Sequence, residues 1–228
     1  MKTNPSDFLL LFDIDGTLLQ VKGSVNHEII AEALSGTGVK PEVVKEVSFA
    51  GRTDRDIFLS LPGADENIME TVSERYYQLM ETELDGDDIE LMPGVIDCLE
   101  YVYSSGYNLG LITGNARQAA FIKLKKAGLD QYFQTGGFGD HHRDRNFLPE
   151  MARQANGEQY NSRFDPSHTV IIGDTPNDIR CARHDQCHAI AVATGTFSYE
   201  QLHAHSPDLL LRSIENPENW LEEYLRRF

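Results

Sequence analysis

The chain has 228 residues and carries 20 Lys+Arg against 36 Asp+Glu, a formal net charge of −16. Such an acidic surface repels phosphate backbones and anionic lipid, which argues against nucleic acid and membrane as partners. With 40% hydrophobic residues it can build a core, yet no apolar run approaches the ~20 residues of a membrane span.

The opening stretch, MKTNPSDFLLLFD, has one lysine and a short apolar run bounded by aspartates. It lacks a small-residue cleavage site, so no signal peptide is expected and a cytoplasmic location is. FLLLF (8–12) is a buried-strand candidate. After it, HEIIAEALSG (27–36), PEVVKEV (41–47), TDRDIFLSL (53–61) and DENIMETVSERYYQLMETEL (65–84) all show helix-type periodicity. The gap before the next strand candidate far exceeds a simple crossover. Residues 19–90 are therefore expected to form an inserted helical subdomain, and LMPGV (91–95) to restart the core.

From there strand and helix alternate. GVIDCLEYVYSSG (94–106) predicts a helix, YNLGLIT (107–113) a strand, and NARQAAFIKLKKAGL (115–129) a helix capped by Asn115 with Gly128 past its end. YFQTGGF (132–138) is a weaker strand candidate. HTVIIG (168–173) and CHAIAVA (187–193) are strong ones, and PDLLL (207–211) a short edge strand. Between them TPNDIRCARHD starts with a threonine cap and Pro176 at the first helical position. Continuous apolar strands separated by helices predict an α/β fold with a Rossmann-like parallel sheet, residues 1–18 and 91–228 forming the core and 19–90 a helical cap. The three cysteines (Cys98, Cys181, Cys187) include no C-x-x-C pair and read as reduced packing thiols.

Each strong apolar run ends in polar residues. The first leads into Asp13 and Asp15, the second into Thr113, Gly114 and Asn115, and the fourth into Asp174, with Asp178 one helical turn on. Ligands of open α/β sheets bind outside the carboxyl ends of the strands. One parallel sheet gathers these ends, and four clustered carboxylates need a counter-charge. An all-oxygen donor set without His or Cys favours Mg²⁺. Residues two apart on an extended chain face the same way, so Asp13 and Asp15 can serve one site in different roles. Taken singly, each aspartate could equally be a cap or turn residue.

DIDGT, LITGN and GDTPND, in this order, resemble the haloacid dehalogenase superfamily of aspartate-nucleophile hydrolases. The resemblance implies that Asp13 is the nucleophile of an aspartyl-phosphate intermediate, and that Asp15 is the acid, later the base, for the leaving alcohol and for water. It implies Mg²⁺ held by Asp13, Asp174 and the backbone carbonyl of Asp15, with Asp178 holding it directly or through water, and phosphate held by Thr113, Gly114 and Asn115. The family's usual third-motif lysine is missing from FGDHHRDRNFLPEMARQ, leaving Arg145, or its rival Arg143, as the cation. His141 and His142 read as loop residues. In the cap, Arg52 and Thr53 are candidate substrate contacts, although Thr53 or Asp54 could simply cap the following helix.

The expected activity is a Mg²⁺-dependent phosphatase acting on a small phosphorylated metabolite, with a phosphosugar mutase as the alternative. A dehalogenase or phosphonate hydrolase would not need Asp15, and a binding protein with a decayed site would not need the full set. No Walker motif or dinucleotide fingerprint occurs. Lys123, Lys125 and Lys126 read as a solvated helix face. Which metabolite is cleaved, and the oligomeric state, are not legible at this level.

Overall fold

The computed structural model describes residues 4–40 and 50–227. The predicted segment 41–47, and Phe49 of the expected cap loop, lie outside the described residues. In chain order the elements are β1 (Leu9–Phe12), β2 (Leu19–Val21), α1 (Gly23–Ala33), α2 (Asp54–Ser60), α3 (Glu66–Glu83), β3 (Ile89–Leu91), α4 (Val95–Ser104), β4 (Asn108–Ile112) and α5 (Arg117–Lys126). They continue as β5 (Gly136–Gly137), α6 (Leu148–Tyr160), β6 (Thr169–Gly173), α7 (Pro176–His184), β7 (His188–Val192), α8 (Tyr199–Ala204), β8 (Leu209–Leu211) and α9 (Pro217–Leu225).

Six strands form one parallel sheet in the order β5-β4-β1-β6-β7-β8, the expected α/β architecture. Every residue of β1 is fully buried, which is why its sequence shows no alternation. Leu10 and Phe12 belong to the core that also contains residues of α4, α5 and α9. Leu9 and Leu11 belong to the opposite one, with residues of α6, α7 and α8. Four such side chains contribute about 1.5–3 kcal/mol each, against about 1–2 kcal/mol per residue of backbone ordering, so the middle strand is firmly anchored. It pairs with β4 on one side and β6 on the other, Leu9 facing Asn108 and Thr169. Strand order reverses here, and a crevice opens beyond Phe12.

Helices α1, α2 and α3 come from the segment between the two strands of a small antiparallel ribbon, in which β2 pairs with β3. α3 starts on the side chain of Asp65, which accepts from the Ile68 N–H at 2.9 Å. Its buried face, Val72, Tyr76 and Met80, packs on α1, and Tyr76 meets Phe58 of α2 edge to face. Among the described residues no helix is long and apolar enough to cross a membrane.

Candidate active site

Asp13 and Asp174 each follow the last residue of neighbouring strands, β1 and β6, and the Asp13 N–H donates to the Ile172 carbonyl at 2.9 Å. Asp178 returns from the first turn of α7, where its carboxylate accepts from the N–H (3.0 Å) and hydroxyl (2.7 Å) of Thr175. This is the expected threonine-capped helix, with Pro176 at its start. Oxygens of Asp13, Asp174 and Asp178 all lie within 4.8 Å of one another, and among the described residues this is the one such trio of acidic, His or Cys side chains. Two glycines leave Asp174 its place. A Cβ on Gly195 would stand 1.8 Å from Asp174 Oδ2, and one on Gly16, at φ +86°, 2.4 Å from it.

Three carboxylates buried to 5% exposure or less repel one another. Burial pushes Asp13 up to about 7, with Arg145 pulling against it and Asp178 adding to it. Asp174 is raised well above the carboxylate range by burial, then by Asp13 and Asp178. Among the described residues, the cation bonded to the trio is Arg145, itself 5% exposed. It sits in the turn that leads into α6, beside the sheet edge rather than on a solvated loop. A single nitrogen, Nη2, donates to Asp13 Oδ1 (2.8 Å), Asp178 Oδ1 (2.5 Å) and the Ile112 carbonyl (3.3 Å). Burial alone would make the guanidinium easier to deprotonate, but Asp178 and Asp13 more than offset this and keep it charged. Among the described residues Nε finds no hydrogen-bond partner. Arg145 thus meets the trio through one nitrogen of its fork rather than two. Arg143 is excluded from this place; its Nε bonds Asp56 Oδ1 at 2.7 Å on the exposed side.

The carboxylate of Asp15 lies outside the trio. Asn115 Nδ2 donates to it at 2.6 Å and to Thr113 Oγ1 at 2.8 Å, which locks the loop after β4 onto the loop after β1. Asn115 therefore does not cap α5 as expected. That cap is supplied by Asp54, whose Oδ2 accepts from the Ala116 N–H at 2.7 Å. A second correction concerns Lys123. It is 3% exposed, and its ammonium reaches Asp15 Oδ1 (2.7 Å), Asp15 Oδ2 (2.9 Å) and Asn115 Oδ1 (2.7 Å). Only its neighbours on the helix, such as Lys125, behave as a solvated face. A signal was available: Lys123 falls on the stripe of Ala116, Ala119 and Ala120 at helical spacing, all buried.

A cavity of about 340 Å³ joins these groups to the helices above, lined by Asp13, Asp15, Thr113, Gly114, Lys123 and Arg145 below and by Gln20, Asn26, His27, Asp54 and Tyr76 above. That size suits a small ligand. Arg52 is on its wall, with Nε on Asp56 Oδ2 (2.7 Å) and Nη2 on Ser60 Oγ (3.0 Å). Thr53 is not. It caps α2 through the Asp56 N–H (3.1 Å), donates to the Arg143 carbonyl (2.8 Å), and lines a neighbouring cavity with Arg143 and Asn177. Thr53 takes the capping place that the sequence offered. Asp54 does more than cap α5. Its N–H donates to the Gly114 carbonyl at 2.6 Å, while Asn177 Nδ2 donates to the Gly51 carbonyl at 2.7 Å. Gly114 has to be bare, because a Cβ there would meet the Arg52 carbonyl at 1.8 Å. Burial raises Asp54 to about 6, with the Ala116 hydrogen bond pulling the other way.

Comparison with known proteins bears on the family and the fold. The family model described as haloacid dehalogenase-like hydrolase matches residues 10–192. The phosphoglycolate phosphatase of Agrobacterium fabrum (strain C58 / ATCC 33970) is 29% identical over 208 residues, 86% of this chain and 84% of that one. The pyrophosphatase PpaX of Bacillus pumilus (strain SAFR-032) is 25% identical over 91% of this chain and 93% of its own. Among solved structures, a predicted phosphatase from Clostridium acetobutylicum superposes with a TM-score of 0.71 at 19% identity, covering 97% of this chain and 99% of that one, which speaks to the fold.

Proposed function

Because the chain belongs to the haloacid dehalogenase-like hydrolases, we propose that it is a Mg²⁺-dependent phosphatase that cleaves a small-molecule phosphate monoester through an aspartyl-phosphate on Asp13. The observation that carries this reading is the division of labour between two aspartates two residues apart. Asp13 faces the buried trio and Arg145, whereas Asp15 faces Asn115 and Lys123 across the cavity. One is placed to attack phosphorus and the other to move a proton.

The residues fit the metal. The trio offers oxygen donors only, carries more negative charge than Arg145 balances, and is spared two Cβ atoms that would displace Asp174. Asp13, Asp174 and Asp178, with the backbone carbonyl of Asp15, would hold Mg²⁺, which supplies neutralising charge at the phosphoryl oxygens and the nucleophile. Thr113 and the backbone of Gly114 and Asn115 hold the phosphoryl group at the start of α5. An oxygen of Asp13 then attacks phosphorus in line with the ester oxygen. The P–O bond to the leaving alcohol breaks, and Asp15 gives that oxygen its proton. Arg145 meets the charge spread over the transferring group. Water next attacks the aspartyl-phosphate, Asp15 takes its proton, and phosphate and the Asp13 carboxylate are restored. Helices α1–α3 act as the cap, and the leaving group lies under Asn26, His27 and Tyr76.

Phosphoglycolate and pyrophosphate, the substrates named for the relatives, are the first compounds for a screen that also covers sugar phosphates. The test is release of inorganic phosphate with Mg²⁺ and with EDTA. Release that needs Mg²⁺ and vanishes in Asp13→Asn is expected. Undiminished turnover in that variant, or isomerisation of a sugar phosphate without phosphate release, overturns the reading.

A further inference from the structure

Lysine is almost never fully buried unless paired, and Lys123 is buried directly beneath the proton-transferring carboxylate. Its three N–H donors meet three acceptors: both oxygens of Asp15 and the side-chain oxygen of Asn115. Asn115 closes the circuit by donating to Asp15 Oδ2 and to Thr113 Oγ1. Each oxygen of Asp15 is therefore held from the α5 side, and the amide of Asn115 is fixed in one orientation. Asp15 stands two residues from Asp13 on an extended chain. An unrestrained carboxylate there would be drawn toward a cation at the trio, as a further ligand, and away from the leaving group.

We propose that Lys123 is a positioning residue: by pinning Asp15 against Asn115 it keeps this carboxylate off the metal cluster and over the leaving-group side of the cavity. The inference rests on the phosphatase reading above and adds a residue to it. Lys123 touches neither phosphorus nor the leaving oxygen and exchanges no proton in the cycle. It acts through the direction in which Asp15 points. The proton still passes from Asp15 to the ester oxygen as the P–O bond breaks, and from water to Asp15 in the second step.

This role has a signature that a merely supporting side chain lacks. An ester whose leaving oxygen is a weak base departs without a proton, whereas an alkoxide does not. The experiment compares kcat/KM, which reports transfer to Asp13, for 4-nitrophenyl phosphate, phenyl phosphate and glycerol 3-phosphate. It uses wild type, Lys123→Met and Lys123→Arg with saturating Mg²⁺, beside calorimetric titration of Mg²⁺ into each metal-free protein, where Lys123→Met should bind the ion severalfold more tightly than wild type and unchanged affinity overturns the inference. General acid catalysis contributes about 10²–10⁴-fold. Lys123→Met should lose under about tenfold on the nitrophenyl ester and about 100-fold or more on the ester with the most basic leaving group that wild type cleaves. Lys123→Arg, which keeps the cation, should recover part of that slope, and it carries the test if the methionine variant does not fold. Equal losses across the series in an active, folded variant overturn the inference and leave the phosphatase reading standing. A wild type that cleaves none of the three esters and no compound of the wider screen overturns both.

Discussion

Replacing Asp13 with asparagine should make the metal-free protein more stable while abolishing its turnover. Asp13 is 5% exposed, shares its pocket with two further carboxylates, and is raised from 3.8 to about 7 chiefly by burial. At about 1.4 kcal/mol per unit, that displacement places a penalty on the order of 4 kcal/mol on the ionised folded state above neutral pH. The sign follows from linkage. A carboxyl whose folded value is raised holds its proton more tightly when folded. Its contribution is favourable below about pH 4 and is lost as pH climbs toward 7. Asparagine keeps an oxygen for Arg145 Nη2 to donate to, and removes the charge. For a chain of this length 1 kcal/mol corresponds to about 2–4 °C, so the variant should melt roughly 10 °C above wild type in EDTA at pH 8. The gap should close toward pH 4, and millimolar Mg²⁺ should narrow it by stabilising wild type more. Differential scanning calorimetry in EDTA decides the matter. A variant that melts at or below wild type at pH 8 would show that the trio is not electrostatically frustrated, and the case for a cation there would lose its physical footing.

Arg145→Lys should keep activity within about tenfold, because a single nitrogen makes the bonds to the trio, whereas Arg145→Met should lose about 10³-fold or more. Thermal melts should show the methionine variant about 3–5 kcal/mol less stable, with two buried carboxylates left without their partner. Gly195→Ala drives a methyl into Asp174, so the Mg²⁺ concentration for half-maximal activity should rise by about tenfold or more, as expected when a ligand's support is disturbed; an unchanged metal requirement would remove Asp174 from the site. For Asp54, raised to about 6, wild type should lose stability relative to Asp54→Asn as pH climbs from about 4 through 6, read from paired melting curves.

The positions of Asp13, Thr113 and Asp174 were visible in the sequence because each interrupts a fully buried run, and a parallel sheet leaves little choice about where such runs end. Asp178 was visible through its spacing on a capped helix. What stayed hidden depends on contacts between distant segments. The ribbon of β2 and β3 is three residues a side, with 67 residues (22–88) between its strands, too short to show alternation. The weak strand candidate at 132–138 survives only as Gly136–Gly137, since an edge strand there makes just two register pairs with β4. Arg145 stood out as a cation in the right stretch, but which of two arginines enters the core is set by the turn before α6, where Asp144 accepts from the Asn146 N–H at 2.9 Å. Lys123 was misread because charge in a lysine-rich stretch suggests water. The helical stripe of alanines around it carried the contrary message. Asn115 misled for a related reason: a good capping residue in the capping place had been recruited by Asp15, and a carboxylate from a segment 62 positions earlier took over the helix end.

That last substitution ties two parts of the molecule into one mechanical circuit. The terminus of α5 is completed by a group that arrives only when the upper helices are seated, through Asp54 to Ala116 and Gly114. Any swing that lifts them would strip the helix of its stopper, and the loop after β4, which we propose holds the phosphoryl group, would lose its partner in the same movement. Entry and grip cannot then be tuned separately: a lid that gapes also loosens the hand beneath it.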